Sequence, residues 1–317
     1  MKKRIISVLL ATVFALSVIG CGTKDTKEQD AYRQYGITCM ESGKYEDAVK
    51  AFQNALGESI GHIGEKELDI CFYKAKAQAL DGKTKDALAT YNAIIKYNKD
   101  ARAYYLRGDL YMDMGEEKKG RADFESAVQQ GKKNYEIYIG IYESLSRHEK
   151  KDEGQKYLSA AMEIKGDKPE DELYKGRISY LLGENKDAIS YLEKAKEHKQ
   201  MLASYYLGLA YDANGDSDKA KKCIAEYIKS GVATSYDLYE LGIQEMQDGN
   251  YKNALTYFNS GLELEKVPNK QNLMKSAIAA YEYSGDFDSA KKMMKEYLKA
   301  YPDDEEAKHE NTFLETR

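Results

Sequence analysis

The feature that most restricts the fold is a spacing pattern that recurs along the chain. The segments beginning at Ala103 and Ala203 each contain two adjacent tyrosines, then a glycine, a tyrosine three residues later, a second glycine four further on and a small residue five beyond that. Such self-similarity is typical of repeat proteins, in which each unit packs only on its neighbours. The matching positions are Tyr104, Tyr105, Gly108, Tyr111, Gly115 and Gly120, then Tyr205, Tyr206, Gly208, Tyr211, Gly215 and Ala220, and in a third segment Leu241, Gly242, Gly249, Tyr251, Ala254 and Phe258.

Within each unit the sequence indicates two helices. In the segment 45–56, apolar residues recur at steps of three and four, which places them on one face of a helix. Gly43 comes just before this segment, at a place where a left-handed glycine can end the preceding helix without steric strain. A single hairpin of helices is too thin to bury its apolar face, so we expect successive hairpins to stack.

This pattern resembles the tetratricopeptide repeat, a helix-turn-helix unit of about 34 residues. The resemblance implies an all-α fold, an α-solenoid in which about eight repeats form a right-handed superhelix. Gly140 stands outside the pattern, and the second and fourth repeats are the least regular. A capping helix or tail is expected at 305–317, with Ala307, Phe313 and Leu314 available to cover the last repeat. The predicted repeats are 29–62, 68–100, 101–134, 135–168, 169–200, 201–234, 235–270 and 271–304.

The N-terminus carries the pattern of an export signal. Three basic residues precede an apolar run, 5–20, that is shorter than the roughly 20 residues a membrane-spanning helix needs. Its end, Val18 to Cys21, resembles the lipobox of bacterial lipoproteins. The resemblance implies a signal peptide, 1–20, cleaved after Gly20, and diacylglycerol on Cys21. An ordinary secretory signal with an incidental cysteine, or an uncleaved anchor, are the alternatives.

The lipobox interpretation implies that the mature chain is tethered through residues 21–28 to the outer face of the cell membrane. Loss of the first 20 residues removes three positive charges, so the net charge changes from -5 to about -8. A negative chain of this kind is unsuited to binding nucleic acid, whose phosphates need a cationic surface. Three further cysteines, Cys39, Cys71 and Cys223, form no paired motif and are predicted to be small packing residues in helices.

No catalytic or metal-binding motif emerges from the sequence. The four histidines are far apart, without a second ligand at metal-binding spacing, and each is predicted to be a surface residue. The segment 81–84, DGKT, ends like a phosphate-binding loop, but Ala77 stands where the leading glycine belongs. We therefore expect neither an enzyme nor a metal or other cofactor, apart from the lipid on Cys21. The histidines are His62, His148, His198 and His309.

Binding is the remaining function. In the family that the pattern resembles, the first helix of each repeat lines a concave groove with its second, fifth, ninth and twelfth residues. A groove rich in tyrosine and methionine suits an extended peptide or a partner helix, although some of these tyrosines could instead pack between repeats. The residues at these positions are Tyr105, Met112, Tyr180, Tyr205, Leu209, Tyr236, Tyr239, Ile243 and Met246.

The resemblance implies a scaffold that binds protein or peptide partners in a cell-envelope assembly. The alternative is an accessory lipoprotein that binds cell-wall or exported glycan, or positions a wall enzyme. Chaperone-binding members of the family hold a terminal carboxylate with a specific set of cations and asparagines. Ile37, Phe72 and Lys76 depart from that set, so such a partner is not expected.

Overall fold

The structure, a computed structural model, describes residues 27–59, 63–166 and 168–317. Gly20, Cys21 and His62, together with the tether apart from its last two residues, lie outside this part of the chain. The described residues form seventeen α-helices and no strand. The helices are α1 (Lys27–Glu41), α2 (Tyr45–Gly57), α3 (Glu65–Leu80), α4 (Thr84–Asn98), α5 (Ala101–Asp113), α6 (Glu117–Gln130), α7 (Tyr135–Arg147), α8 (Lys151–Met162), α9 (Pro169–Leu182), α10 (Asn185–Glu197), α11 (Leu202–Ala213), α12 (Ser217–Lys229), α13 (Ser235–Gln247), α14 (Tyr251–Leu262), α15 (Lys270–Ser284), α16 (Phe287–Ala300) and α17 (Glu305–Glu315).

Successive helices pair as hairpins, from α1 with α2 to α15 with α16. Each hairpin begins within three residues of a predicted repeat start, and α17 lies in the segment where a capping helix or tail was expected. The prediction of an all-α stack of helical hairpins is confirmed. None of the helices described is long and apolar enough to cross a lipid bilayer.

Tight approach of the paired helices depends on glycine. A Cβ atom added to Gly36 of α1 would lie 2.6 Å from the ring of Phe52 in α2, and one added to Gly242 would lie 2.2 Å from the ring of Phe258. Both rings are fully buried. The turn glycine Gly115 has a φ of 75°, a conformation that other residues adopt only at a cost. The glycines of the repeat pattern therefore serve either helix contact or the turn.

Contacts divide the chain into two units, one ending at Tyr227 and the other beginning at Ile228. In the first unit, the hydrophobic cores combine a hairpin with at least the first helix of the next one. Phe52 of α2 shares a cluster with Ile70 of α3, and Phe124 of α6 shares one with Ile141 of α7. Neighbouring hairpins therefore complete each other's cores, as expected for a repeat protein.

The second unit follows the same rule and ends in a cap. Phe258 of α14 packs with Leu273 of α15, and the last cluster buries Leu314 of α17 beside Tyr297 of α16. Phe313 was also expected to cover the last repeat, but its side chain is 46% exposed. The reason is helical geometry, since adjacent residues of α17 point in different directions.

Candidate interaction surface

The predicted groove of tyrosine and methionine is not formed as expected. Met112 is 2% exposed and Tyr205 is 9% exposed, so neither side chain can contact a ligand without moving. A Cβ atom added to Gly120 of α6 would lie 2.7 Å from the Met112 sulfur, so Met112 fills the space within its own hairpin. Tyr205 packs on Tyr206 and on Tyr227 of α12, with ring centroids 5.1 Å and 5.3 Å apart. The prediction of exposed groove residues is wrong at these two positions.

Two other predicted groove residues of the first unit pack between helices. The half-buried ring of Tyr105 lies 6.3 Å from that of Phe124, and a Cβ atom added to Gly140 of α7 would be 2.6 Å from Tyr105 Cζ. Burial raises the pKa of the Tyr105 hydroxyl well above its ordinary value. Tyr180 is half-buried against the core around Leu192. Leu209 is also half-buried.

In the second unit, the predicted groove residues of α13 are half-buried. Tyr239 packs on Phe258, with ring centroids 6.2 Å apart. Ile243 and Met246 lie against the same core of α14 and α15, while Tyr236 is half-buried near the start of α13. These side chains stabilise the hairpin and present only part of their surface to a partner.

Charged side chains also connect the first helices of neighbouring hairpins. We call these contacts of the first unit the ion-pair ladder. Arg33 Nη2 lies 2.6 Å from Asp69 Oδ2, and Arg147 is paired with Asp109. Arg177 Nη2 lies 2.9 Å from Glu143 Oε1, and its Nη1 lies 3.3 Å from Glu136 Oε2. The ladder comprises Arg33, Asp69, Asp109, Glu136, Glu143, Arg147 and Arg177, and it joins α1 to α3, α5 to α7 and α7 to α9.

The best-covered side chains of the ladder are Asp109 and Arg177, which are 5% and 12% exposed. Burial raises the pKa of Glu143, and the opposing effect of Arg177 does not cancel this shift. The guanidinium of Arg177 also lies 5.5 Å from the ring centroid of Tyr206 on α11. Partners in such an environment are costly to separate, because each would leave an unpaired charge. The ladder therefore fixes how successive first helices meet.

Lys76 on α3 is the exception to this pairing. It follows Asp69 and Phe72 at steps of seven and four residues, so all three share one face of the helix. Asp69 pairs with Arg33 of α1, and the Arg102 guanidinium of α5 lies 4.4 Å from the ring centroid of Phe72. No hydrogen bond or ion pair joins the half-buried Lys76 to another described residue, and burial lowers the pKa of its ammonium group. A cation in this position is available to an acidic group on a partner.

The sequence analysis did not predict that these charged residues pair between hairpins or, for Lys76, offer a free cation. Their signal was present, since Arg33, Asp109, Glu143, Lys76 and Arg177 all stand at the fifth or ninth position of a predicted repeat. It was overlooked because the search for groove residues favoured aromatic side chains. Glu143 and Arg177 occupy the ninth position of successive first helices, and opposite charges there could have predicted their pairing.

The cysteines and histidines fall into different surroundings. Cys39 and Cys223 are buried, Cys71 is half-buried, and all three are free thiols. Burial raises the pKa of the Cys71 and Cys223 thiols, which disfavours the reactive thiolate. His198 is exposed, and the one carboxylate it contacts in the described part of the chain is that of Glu172, at 3.1 Å.

His148 differs from the surface histidine that was expected. Its side chain is 24% exposed, and its Nε2 lies 3.1 Å from Asp113 Oδ1. Asp109 is close to both residues. The sequence could not reveal this grouping because His148 and the aspartates belong to different hairpins.

Hairpins that share cores with their neighbours define a helical repeat protein, a class whose surfaces generally bind other proteins rather than catalyse reactions. Models of the tetratricopeptide repeat match residues 36–95, 74–135, 202–230 and 271–304, together about half of the chain. The chain belongs to the tetratricopeptide repeat family. Among curated protein sequences, none matches it significantly.

Solved structures of similar fold come from varied settings. A tetratricopeptide repeat protein from Parabacteroides merdae is 12% identical, with 80% of this chain and 99% of that one covered and a TM-score of 0.47. PilW, a type IV pilus biogenesis factor, is 18% identical, with 66% of this chain and 97% of that one covered and a TM-score of 0.44. Cut9-Hcn1, an APC/C hetero-tetramer, is 16% identical, with 90% of this chain and 55% of that one covered and a TM-score of 0.43. At these levels the likeness carries no information about partners.

Proposed function

We propose that the chain is a lipid-anchored, extracytoplasmic scaffold that binds a protein partner in a cell-envelope assembly. The binding surface is the face of the first helices in the first unit, centred on Lys76 of α3. The observation that carries this proposal is the half-buried ammonium group of Lys76, which has no counter-ion among the described residues. An acidic side chain of a partner would supply it.

An unpaired charge near other protein atoms reduces stability, because burial removes water without providing a replacement. Lys76 is surrounded enough for its pKa to be lowered, yet the chain places no carboxylate on it. Its flank is aromatic, with Phe72 one turn earlier on the same face and Arg102 stacked on that ring. A partner segment with an acidic residue next to an apolar one fits this surface.

The test is crosslinking and capture from intact cells with Lys76→Met. We expect capture to fall, while the thermal midpoint stays the same or rises because a desolvated charge has been removed. The matched control is Lys85→Met, since Lys85 is an exposed lysine on α4, the second helix of the same hairpin. Capture by Lys76→Met equal to that by the parent and the control would refute the proposed surface.

The lipid anchor is tested separately. Cys21→Ser removes the thiol that would carry diacylglycerol, and we expect the variant to be released from the membrane fraction or to keep its signal peptide. A variant that is processed and fractionates with the membrane like the parent would exclude the lipobox interpretation. The capture experiment does not depend on this result, so the two parts of the proposal fail independently.

A glycan-binding accessory, or one that positions a wall enzyme, is the second candidate. The observation favouring glycan is the stacked pair of Tyr251 and Tyr283, whose ring centroids are 5.4 Å apart at an angle of 17°. Tyr283 is 68% exposed, so its ring is open to a sugar face. Binding of purified chain to wall polymer, lost in Tyr283→Ala and kept in Lys76→Met, would favour this function over the scaffold.

A further inference from the structure

Three side chains with metal-binding atoms converge where the third and fourth hairpins meet. Asp109 and Asp113 lie one turn apart on α5, and His148 is the residue that ends α7. One oxygen of each aspartate and one ring nitrogen of the histidine all lie within 4.8 Å of one another. His148 Nε2 is 3.1 Å from Asp113 Oδ1, so this nitrogen faces the aspartates.

The donor set is suited to a divalent transition metal. An imidazole nitrogen with two carboxylate oxygens is a combination that Zn²⁺ accepts, with bonds of about 2.0–2.2 Å. Atoms less than 4.8 Å apart can reach one ion with small side-chain rotations. The exposed Asp113 and the partly exposed His148 can make these rotations and leave the ion open to water on one side.

The local charges also favour a cation. His148 stands at the C-terminal end of α7, where unpaired carbonyl groups give the helix a partial negative charge. Arg147 neutralises one aspartate by pairing with Asp109. A carboxylate has two oxygens and about four acceptor sites, so this bond leaves Asp109 able to accept a metal ion. With neutral His148, the two aspartates and Arg147 together carry one net negative charge.

We propose that Asp109, Asp113 and His148 bind a divalent transition-metal ion, of which Zn²⁺ is the best match, between α5 and α7. The ion would connect the first helices of two neighbouring hairpins, beside the ladder contact between Arg147 and Asp109. Because the ion binds the folded chain, it should also raise the thermal midpoint.

The chain contains a matched control. His198 Nδ1 lies 3.1 Å from Glu172 Oε2, so this pair offers one imidazole nitrogen and one carboxylate oxygen. Among the described residues, no further histidine, cysteine or carboxylate joins His198 and Glu172 in a group of three possible metal ligands. If a histidine with one carboxylate were sufficient, both places would bind metal equally. If the second aspartate is needed, only the His148 group will bind.

The experiment titrates Zn²⁺ into the full chain, purified in detergent without a polyhistidine tag and followed by calorimetry. We expect one equivalent to bind and to raise the thermal midpoint. His148→Gln and Asp113→Asn should each weaken binding by about tenfold or more and abolish the thermal shift, while His198→Gln should change neither. Far-ultraviolet circular dichroism checks that each variant is folded, which is expected because both altered side chains reach solvent.

Titration with Co²⁺ identifies the ligand atoms. A site made of nitrogen and oxygen gives weak visible bands, whereas cysteine ligands add intense thiolate charge-transfer absorption. The proposal is overturned by the absence of Zn²⁺ binding up to millimolar concentration, by equal binding in His148→Gln and the parent, or by a thiolate spectrum.

Discussion

Asp304 is predicted to hold the C-terminal helix on the last hairpin. Its Oδ1 accepts a hydrogen bond from the Ala307 backbone N–H at 3.1 Å, which caps the start of α17. Its Oδ2 accepts from the Tyr297 hydroxyl of α16 at 2.5 Å and lies 2.8 Å from Lys275 Nζ of α15. A single carboxylate therefore connects three helices, and Asp304→Ala removes all three contacts.

The expected loss of stability follows from these contacts. Loss of an N-cap aspartate costs about 1 kcal/mol. The Tyr297 side chain is fully buried, and leaving its hydroxyl hydrogen without an acceptor costs about 1–2 kcal/mol, although Gln271 still donates to its oxygen. Lys275 is 39% exposed, so its ion pair adds little. The free energy of unfolding of the last hairpin and α17 should fall by about 2–3 kcal/mol.

Hydrogen exchange is the suitable assay, because repeat proteins can open locally at their ends. Amides of α17 should exchange faster in Asp304→Ala, while amides of the first unit are unchanged. Asp304→Asn should lie between the parent and Asp304→Ala because it keeps an acceptor for the cap. The control is Asp303→Ala, an exposed neighbour expected to stay within about 0.5 kcal/mol of the parent. Equal exchange of α17 in Asp304→Ala and Asp303→Ala would refute the reasoning.

Two further changes test other contacts. Burial, together with the nearby Glu310 carboxylate of α17, raises the pKa of Glu282 to about 7. A raised pKa means that stability is fully present below the unfolded value of about 4.5 and is lost as pH rises through 7. Glu282→Gln should abolish this pH dependence of α17 exchange, and an unchanged pH profile would contradict the explanation. Gly242→Ala should cost about 1–3 kcal/mol in urea unfolding, because its Cβ meets the ring of Phe258, while Gly57→Ala meets no neighbouring atom within 4 Å. Similar unfolding midpoints for the two alanine variants would show that close approach at Gly242 is not required.

The hairpin architecture could be predicted from the sequence because its signals are local. Gly36 and Phe52 belong to two helices of one repeat that are joined by a short turn, and the structure puts one against the other. The role of Gly140 could not be predicted from such local signals. It stood outside the repeat pattern because it serves a neighbour, leaving room for the ring of Tyr105 from the preceding hairpin.

Contacts between hairpins depend on how far each is rotated against the next, which no single repeat specifies. For this reason Tyr105, expected to face a partner, is packed against Gly140 of the following hairpin instead. The pairing of Arg177 with Glu143 and the meeting of His148 with Asp113 are also contacts between hairpins. They are visible only once neighbouring first helices are placed together.

The sharing of cores between neighbours sets an order for folding. The core around Phe52 is complete only when Ile70 of the following hairpin has packed on it. The core around Phe124 needs Ile141 in the same way. Chains are synthesised from the N-terminus, and segments can fold as they emerge. Within the first unit, each hairpin would therefore remain incomplete until one more helix had left the ribosome. A chain cut after the second helix of a hairpin should accordingly leave that hairpin with a half-open core, whereas a cut one helix later should leave it closed.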